Sequence, residues 1–464
     1  MNASMWKRCA IGVAAGASLA LHGTGCGQGN GFEEVEGRSQ GALHGDADAG
    51  PGDCGEPVGP PVDLGDGADA TPAVASNGSN YLVLWEWEAS DGDTDLRAAY
   101  LDLQGHVIGQ PDEPVVAGDD RDRAPQLASD GDGYLATWLH GEVGEVQVMT
   151  APLPAEPEAA VPVSPFVLDS GFSGDEGGVR CSVVASDGEA HALHWSAGGF
   201  LQRARMSGDG EVIAPPVESW GPLVDCPAVA SNGDDFLVGW DDATVPINVR
   251  IMPSPPPVRV SDAEGGRARP RLASSGDEYM VVWEDFRNGA RDVYGGRVDA
   301  DGERLDGDGL AIATGELTRP DAAGGPEGYL VAWRVSTGSV LGPHPELRAA
   351  RIAPDGTVAP DFRVATGDDL HGHAVARGTE GRHLVVYSET LEAGETRIVA
   401  RALCTETDGS GPGDGPPLPP AHCSGGSGKC SAEAPMGPGG AAGALLGLVA
   451  VVLGVRRRAG TGQR

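Results

Sequence analysis

Sixty-eight acidic residues, eleven histidines and eight cysteines give this 464-residue chain many groups for acid–base work or metal binding. Spacing decides which of them can act together. Two histidine pairs stand out, His371-Gly-His373 and His191-Ala-Leu-His194. Imidazoles are common metal ligands, and a spacing of two puts His371 and His373 on one face of a strand. Isolated pairs are more often surface or structural histidines, and no two cysteines form the Cys-x-x-Cys unit of a zinc site. Calcium has a fuller set of oxygen donors. Asp91-Gly-Asp93-Thr-Asp95 and Asp299-Ala-Asp301, with Asp306-Gly-Asp308, carry carboxylates in loops. The first opens like an EF-hand loop but has Leu96 where the sharp turn needs glycine, and Asp102 where a longer glutamate is usual. The same residues also read as Asp-Gly turns. The turn reading is preferred and no cofactor is expected, with calcium at Asp91, Asp93, Asp95, Asp299 and Asp301 as the weaker alternative. Glycoside hydrolysis needs two placed carboxylates, and among 68 acidic residues no pair is distinguished. Glu86, Asp241, Glu284 and Asp285 share a placement just after a repeated tryptophan, which marks them as turn or rim residues of a scaffold. Gly-x-Ser-x-Gly and Walker-type loops are absent, so no catalytic residue is expected.

The elements that would position these groups are repeats. Trp85, Trp138, Trp195, Trp240, Trp283, Trp333 and Tyr387 follow one another at 53, 57, 45, 43, 50 and 54 residues, each ending an apolar stretch. The fifth repeat is plainest: Arg271–Ser274 and Glu278–Trp283 read as strands, with Tyr279, Val281 and Trp283 on one face. Asp292–Val298 and Leu310–Thr314 complete four strands, with a hairpin turn at Asp301-Gly302. An alanine stands ten residues before each tryptophan (Ala75, Ala128, Ala185, Ala230, Ala273, Ala323), and the seventh repeat slips by one, to Ala376. Small residues there fit first strands crowding around a central channel. The period and strand content resemble the blades of a β-propeller. Seven blades are expected, and with them an all-β fold. The Asp-box repeat of bladed sialidases, Ser-x-Asp-x-Gly-x-Thr-Trp, does not occur.

Closure is legible at the ends of the array. Residues 61–65 match, in register, the fourth-strand segment that precedes the second repeat, whereas the seventh repeat stops after Thr396–Leu403. An N-terminal strand that completes the last blade removes two exposed sheet edges. Cys181 and Cys226 occupy the same position in adjacent repeats and are candidates for a bridge. Cys54 and Cys404 flank the closing strand and are a second candidate pair, with Cys423 left to compete for either.

The flanks speak of location. Lys7-Arg8 before the apolar run Cys9–Leu21 reads as a secretory signal peptide, and Gly25-Cys26 resembles the end of a bacterial lipobox. Gly23 stands where lipoproteins usually carry leucine, so the residues leave open whether Cys26 is lipidated. Near the other end come Cys430-Ser431, Gly437-Pro438, the apolar stretch Ala441–Val455 and Arg456-Arg457-Arg458. This pattern resembles the MYXO-CTERM sorting signal of myxobacterial surface proteins. The resemblance implies cleavage near Cys430 and delivery to the cell surface, with the membrane met through a short transmembrane segment. The expected organisation is a signal peptide at 1–26, an acidic Gly-rich linker at 27–53, one seven-bladed propeller at 54–405, a Gly/Pro-rich linker at 406–429 and the sorting signal at 430–464. A formal charge of -36 repels phosphates and argues against nucleic acid. The expectation is an exported module at the outer surface of a Gram-negative, myxobacterial-type cell, binding a surface protein or polysaccharide. A glycan-acting enzyme and a structural coat are the rivals. A carboxylate–arginine cluster at the channel mouth would favour the enzyme. Trp87 and Trp220, outside the repeat register, are the candidates for an exposed aromatic contact.

Overall fold

In the stretch Glu278-Tyr-Met-Val-Val-Trp-Glu-Asp285, β-branched and aromatic residues alternate between two apolar surroundings, and the segment forms the second strand of blade 5. Tyr279, Val281 and Trp283 pack with Leu237, Val249 and Ile251 of the blade before. Met280 and Val282 pack with Val331 and Trp333 of the blade after. Each sheet is thus a layer in a stack, covered on both faces by its neighbours. The computed structural model describes residues 59–404 apart from 90–91, 112, 119, 143–144, 158–164, 170–180, 221–225, 243–244, 253–256, 337–344, 368 and 392–393. The expected signal peptide with Cys26, both linkers, the sorting signal with Cys430, Cys54 and Asp91 lie outside the described residues. The chain divides into the compact units Met1–Glu406 and Thr407–Arg464, and every described residue belongs to the first.

Seven four-stranded antiparallel sheets succeed one another along the chain, and no helix occurs among the described residues. Blade 1 comprises Ala73–Ser76, Asn80–Glu88, Thr94–Asp102 and Val107–Gly109. Blades 2, 3 and 4 begin at Asp122, Ser182 and Ala228, and blades 5, 6 and 7 at Arg267, Leu317 and Asp369. Each first strand lies beside those of the neighbouring blades, and the first strand of blade 7 lies beside that of blade 1, so the seven form a ring. The fold is a seven-bladed β-propeller.

Closure follows the expected route. Val62–Asp66 pairs antiparallel with Thr396–Cys404, with Val62 opposite Ala400 and Asp66 opposite Arg397. Trp85 of blade 1 then packs on Val386, Ile398 and Ala400 of blade 7, as every other repeat aromatic packs on the blade before it. Burying an indole of this size contributes about 4 kcal/mol by area. Its N–H needs a partner, found in the Asp66 carbonyl for Trp85 and in carboxylates of Asp122, Asp169 and Asp285 for Trp138, Trp195 and Trp283.

The repeated alanines also serve the packing between blades. Ala75, Ala128, Ala230 and Ala273 each share a core cluster with the tryptophan of the next blade, and Ala376 shares one with Trp85. A methyl group there makes room for the incoming indole. The slip in blade 7 comes from its first turn, where residues 378–381 separate the two strands against 275–277 in blade 5.

A further slot lies four residues before each repeat aromatic. Tyr134, Tyr279 and Tyr329 donate their hydroxyls to backbone carbonyls of the preceding blade, at Asn80, Asp235 and Glu278, over 3.0, 2.9 and 3.2 Å. His191, Phe236 and His383 occupy the slot in blades 3, 4 and 7, and all three are buried.

Candidate functional site

The first strands enter the central channel through a shared distortion. In blades 2, 5, 6 and 7 the pairing of first and second strands skips two residues, after Arg123, Ala268, Thr318 and Leu370. Three of these bulges hold proline second (Pro125, Pro270, Pro320), which lacks the N–H that a ladder position would use. The residue before it is left-handed: Ala124, Arg269 and Arg319 have φ of 52°, 56° and 56°. Such backbone is strained for an L residue and persists only where its surroundings hold it.

Carboxylates of the preceding blade do the holding. Glu86 Oε1 accepts the Ala124 N–H at 2.8 Å, and Glu284 Oε1 accepts the Arg319 N–H at 2.8 Å. These are the glutamates that directly follow Trp85 and Trp283. Their shared placement therefore reflects a latch between blades, in keeping with a scaffold role. Burial pushes the Glu86 carboxyl above its ordinary range, against the opposing pull of the Ala124 N–H. Asp321 also links two blades, accepting the N–H of Val375, a regularly paired residue of blade 7, at 2.9 Å, and burial raises its carboxyl as well. Asp285 is committed elsewhere. Burial opposes its ionisation, but hydrogen bonds from Arg287 and Trp283 outweigh it and hold the carboxyl low.

Inside the ring lies a cavity of about 500 Å³, walled by the first strands of all seven blades. Its charged and imidazole lining is Glu86, Arg269, Arg271, Arg319, Asp321 and His373. Three arginines thus meet two carboxylates in a protein whose formal charge is -36. Arg269 Nη1 lies 3.2 Å from Glu284 Oε1, and Arg271 Nε lies 4.0 Å from Asp321 Oδ1. Cys181 and Cys226 join in a disulfide across the wall between blades 3 and 4, with Cα atoms 5.7 Å apart. Cys404 is disulfide-bonded too.

The histidine pairs do not assemble. The bulge after Leu370 places His373 on the same strand face as Leu370, opposite Tyr387, and turns His371 to the other face. The expectation of two imidazoles on one face fails because the strand is not regular there. His371 Nδ1 lies 2.7 Å from Asp69 Oδ1, while buried His373 faces the Ala332 carbonyl at 3.3 Å. His191 and His194 are both buried, and an odd spacing puts them on opposite strand faces.

The carboxylates proposed for calcium are occupied by backbone. Asp93 Oδ1 accepts the Thr94 N–H at 2.8 Å, and Asp95 Oδ1 lies 3.4 Å from the Gly118 N–H. Asp299 Oδ1 accepts the N–H groups of Asp301 and Glu303 at 3.0 and 2.8 Å, closing the hairpin turn in which Gly302 has φ of 88°. Asp301 is exposed on that turn. Among the described residues no group of three or more potential ligands is placed to hold a metal. Asp93, Asp95 and Asp299 thus engage backbone N–H groups and are not gathered into one cluster among the described residues.

A second cavity of about 570 Å³ lies beside the closing strand, lined by Asp66, Asp69, Trp87, Glu88 and Glu395 among others. Trp87 is half-buried, and the Arg97 guanidinium stacks 3.9 Å above its ring. Trp220 ends the fourth strand of blade 3, and its side chain lies outside the described residues.

The channel arginines were not among the expected site residues. A signal for them exists: Arg269-Pro270 and Arg319-Pro320 stand where blade 2 has Ala124-Pro125. A cation at a repeat position that alanine can fill is the trace a site leaves on a scaffold.

No family model matches the chain, and no curated protein matches it. Among solved structures it is similar to the β-propeller domain of the Trilobed protease from Pyrococcus furiosus, at 11% identity and a TM-score of 0.43, over 73% of this chain and 98% of that one. It is also similar to putative TolB from Agrobacterium tumefaciens, at 16% identity and a TM-score of 0.36, over 63% and 94%. A third is the GH43_1 enzyme from Xanthomonas citri complexed with xylotriose, at 12% and 0.32, over 54% and 94%. Likeness this distant concerns the bladed fold and carries no activity with it.

Proposed function

We propose that this chain is an exported cell-surface propeller that binds a protein or glycan at its channel mouth and does not transform it. The observation behind this is the division of labour at the mouth. Glu86, Glu284 and Asp321 are engaged by backbone amides of the following blade, while arginine side chains line an open cavity. Holding the left-handed backbone of Ala124 and Arg319 gives Glu86 and Glu284 a structural task in the scaffold. Export rests on the N-terminal signal pattern and on the MYXO-CTERM resemblance, and disulfides suit an oxidising compartment.

The test is thermal unfolding of the purified protein against a panel of cell-surface polysaccharides and proteins. A ligand at about 100 times its Kd adds about 2.7 kcal/mol, enough to raise the midpoint by a few degrees. No shift across the panel would remove the binding reading. A glycan-acting enzyme is the second reading, favoured by the closeness of Arg269 to Glu284 and Arg271 to Asp321. New reducing ends released from a bound glycan would establish it.

A further inference from the structure

Arg319 sits in backbone that disfavours any L residue, at a repeat position where Ala124 serves blade 2 with nearly the same φ. The latch at this position uses only the main-chain N–H, which Glu284 accepts. The fold therefore has no need of a guanidinium here. That guanidinium makes no hydrogen bond or ion pair among the described residues, and it lines the channel cavity together with those of Arg269 and Arg271. Burial lowers the Arg319 pKa, and the like charges of Arg334 and Arg269 lower it further, against the pull of Asp69 and Glu284. Crowded cations in a partly desolvated wall repel one another, and an anion placed among them relieves that repulsion. Glu284 lies 3.2 Å from Arg269 and Asp321 lies 4.0 Å from Arg271, which leaves the Arg319 guanidinium as the cation of the cluster without a paired carboxylate among the described residues.

We infer that the blade 5–blade 6 sector of the channel mouth, formed by Arg269, Arg271 and Arg319, is a carboxylate-binding site that selects acidic over neutral glycans. This rests on the binding reading above and names its ligand class. Guanidinium groups pair with carboxylates through two parallel N–H donors, a geometry that a neutral hydroxyl does not satisfy. The cavity of about 500 Å³ is within the range that accepts a small ligand or a few sugar residues. Against a protein of charge -36, a polyanion gains nothing from long-range attraction, so selection has to come from this short-range cluster.

The experiment is calorimetric titration of the full chain with oligogalacturonate, beside the same oligomer methyl-esterified so that its carboxylates are masked. The acid form should bind, with affinity at least tenfold above the ester and tenfold or more reduced in Arg319→Ala. The melting midpoint of Arg319→Ala should stay close to the wild-type value, since alanine already fills this position in blade 2. Equal binding of acid and ester, or acid binding that survives Arg319→Ala, overturns the site while leaving the binding reading intact. Absence of binding by the acid form overturns the site. If the polysaccharide and protein panel is also silent, the binding reading falls with it.

Discussion

Acidification from pH 7 to pH 5 should strip several kcal/mol from the folded ring, because three imidazoles are buried in their neutral form. His194, His373 and His383 are 2%, 6% and 2% exposed. Burial pushes their pKa values down from about 6.5 to about 3, about 4 and about 4 respectively. For His383, Glu327 and the Gly381 carbonyl pull upward, and Arg377 and Arg351 add to the fall. The unfolded chain takes up protons near pH 6.5 that the folded chain refuses. Stability from this source is therefore complete above about pH 6.5, declines as pH drops, and stops declining near the folded values. At pH 5 each such histidine has lost about 2 kcal/mol, or about 6 kcal/mol for the three together. His383→Phe isolates one of them, since Phe236 fills the equivalent slot in blade 4. Urea unfolding of both proteins at pH 7, 6 and 5 is the assay. The wild type should lose about 2 kcal/mol more than His383→Phe between pH 7 and 5. Carboxylates titrate in both proteins and largely cancel in the difference. Parallel losses in the two proteins would show that His383 is not held neutral, and would refute the reasoning.

Four other outcomes follow from the same contacts. Glu284→Ala leaves the Arg319 N–H without its acceptor and should cost about 1 to 3 kcal/mol in urea unfolding, whereas Glu284→Gln keeps an oxygen there and should cost less. Tyr279→Phe deletes the hydroxyl bond to Asp235 in the preceding blade and should cost about 1 kcal/mol, with an unchanged dependence on denaturant. Replacing both Cys181 and Cys226 by alanine opens a link spanning 45 residues and should lower stability by about 4 kcal/mol on the chain-entropy account, read from the same urea curves. Calcium at millimolar concentration should leave the midpoint where it is, because Asp93, Asp95 and Asp299 hold backbone N–H groups, and a rise of several degrees would count against that assignment.

Much of the scaffold was readable because it repeats. The tryptophan spacing and the unpaired segment at 61–65 both report on packing between blades, and packing is what hydrophobic pattern encodes. Even the one-residue slip before Tyr387 had its counterpart in a longer turn. The site was less readable for a physical reason. A two-residue bulge changes which way side chains point without altering the spacing of the tryptophans, so His371 and His373 looked like a pair and are not. The same bulges direct Arg269 and Arg319 to the channel, and the pattern of apolar residues carries no record of that. Asp-Gly clusters resembled metal loops because turn geometry and calcium coordination both recruit short carboxylates in loops.

The seam between Val62–Asp66 and the last blade has one more consequence. Its ion pair, Asp63 to Arg397, joins residues 334 apart in the chain, and closing a loop of that length carries an entropy of about 5 kcal/mol plus a constant. A ribosome delivers the first partner early and the second almost last. Until Thr396–Cys404 arrives, the face of Trp85 lacks Ile398 and Ala400, and blade 7 lacks its third strand. Any chain broken off short of that point displays an uncovered indole and an unpaired sheet edge. The ring thereby carries its own proof of completeness: a protease or chaperone that reads exposed apolar edges can sort finished molecules from truncated ones without inspecting anything else.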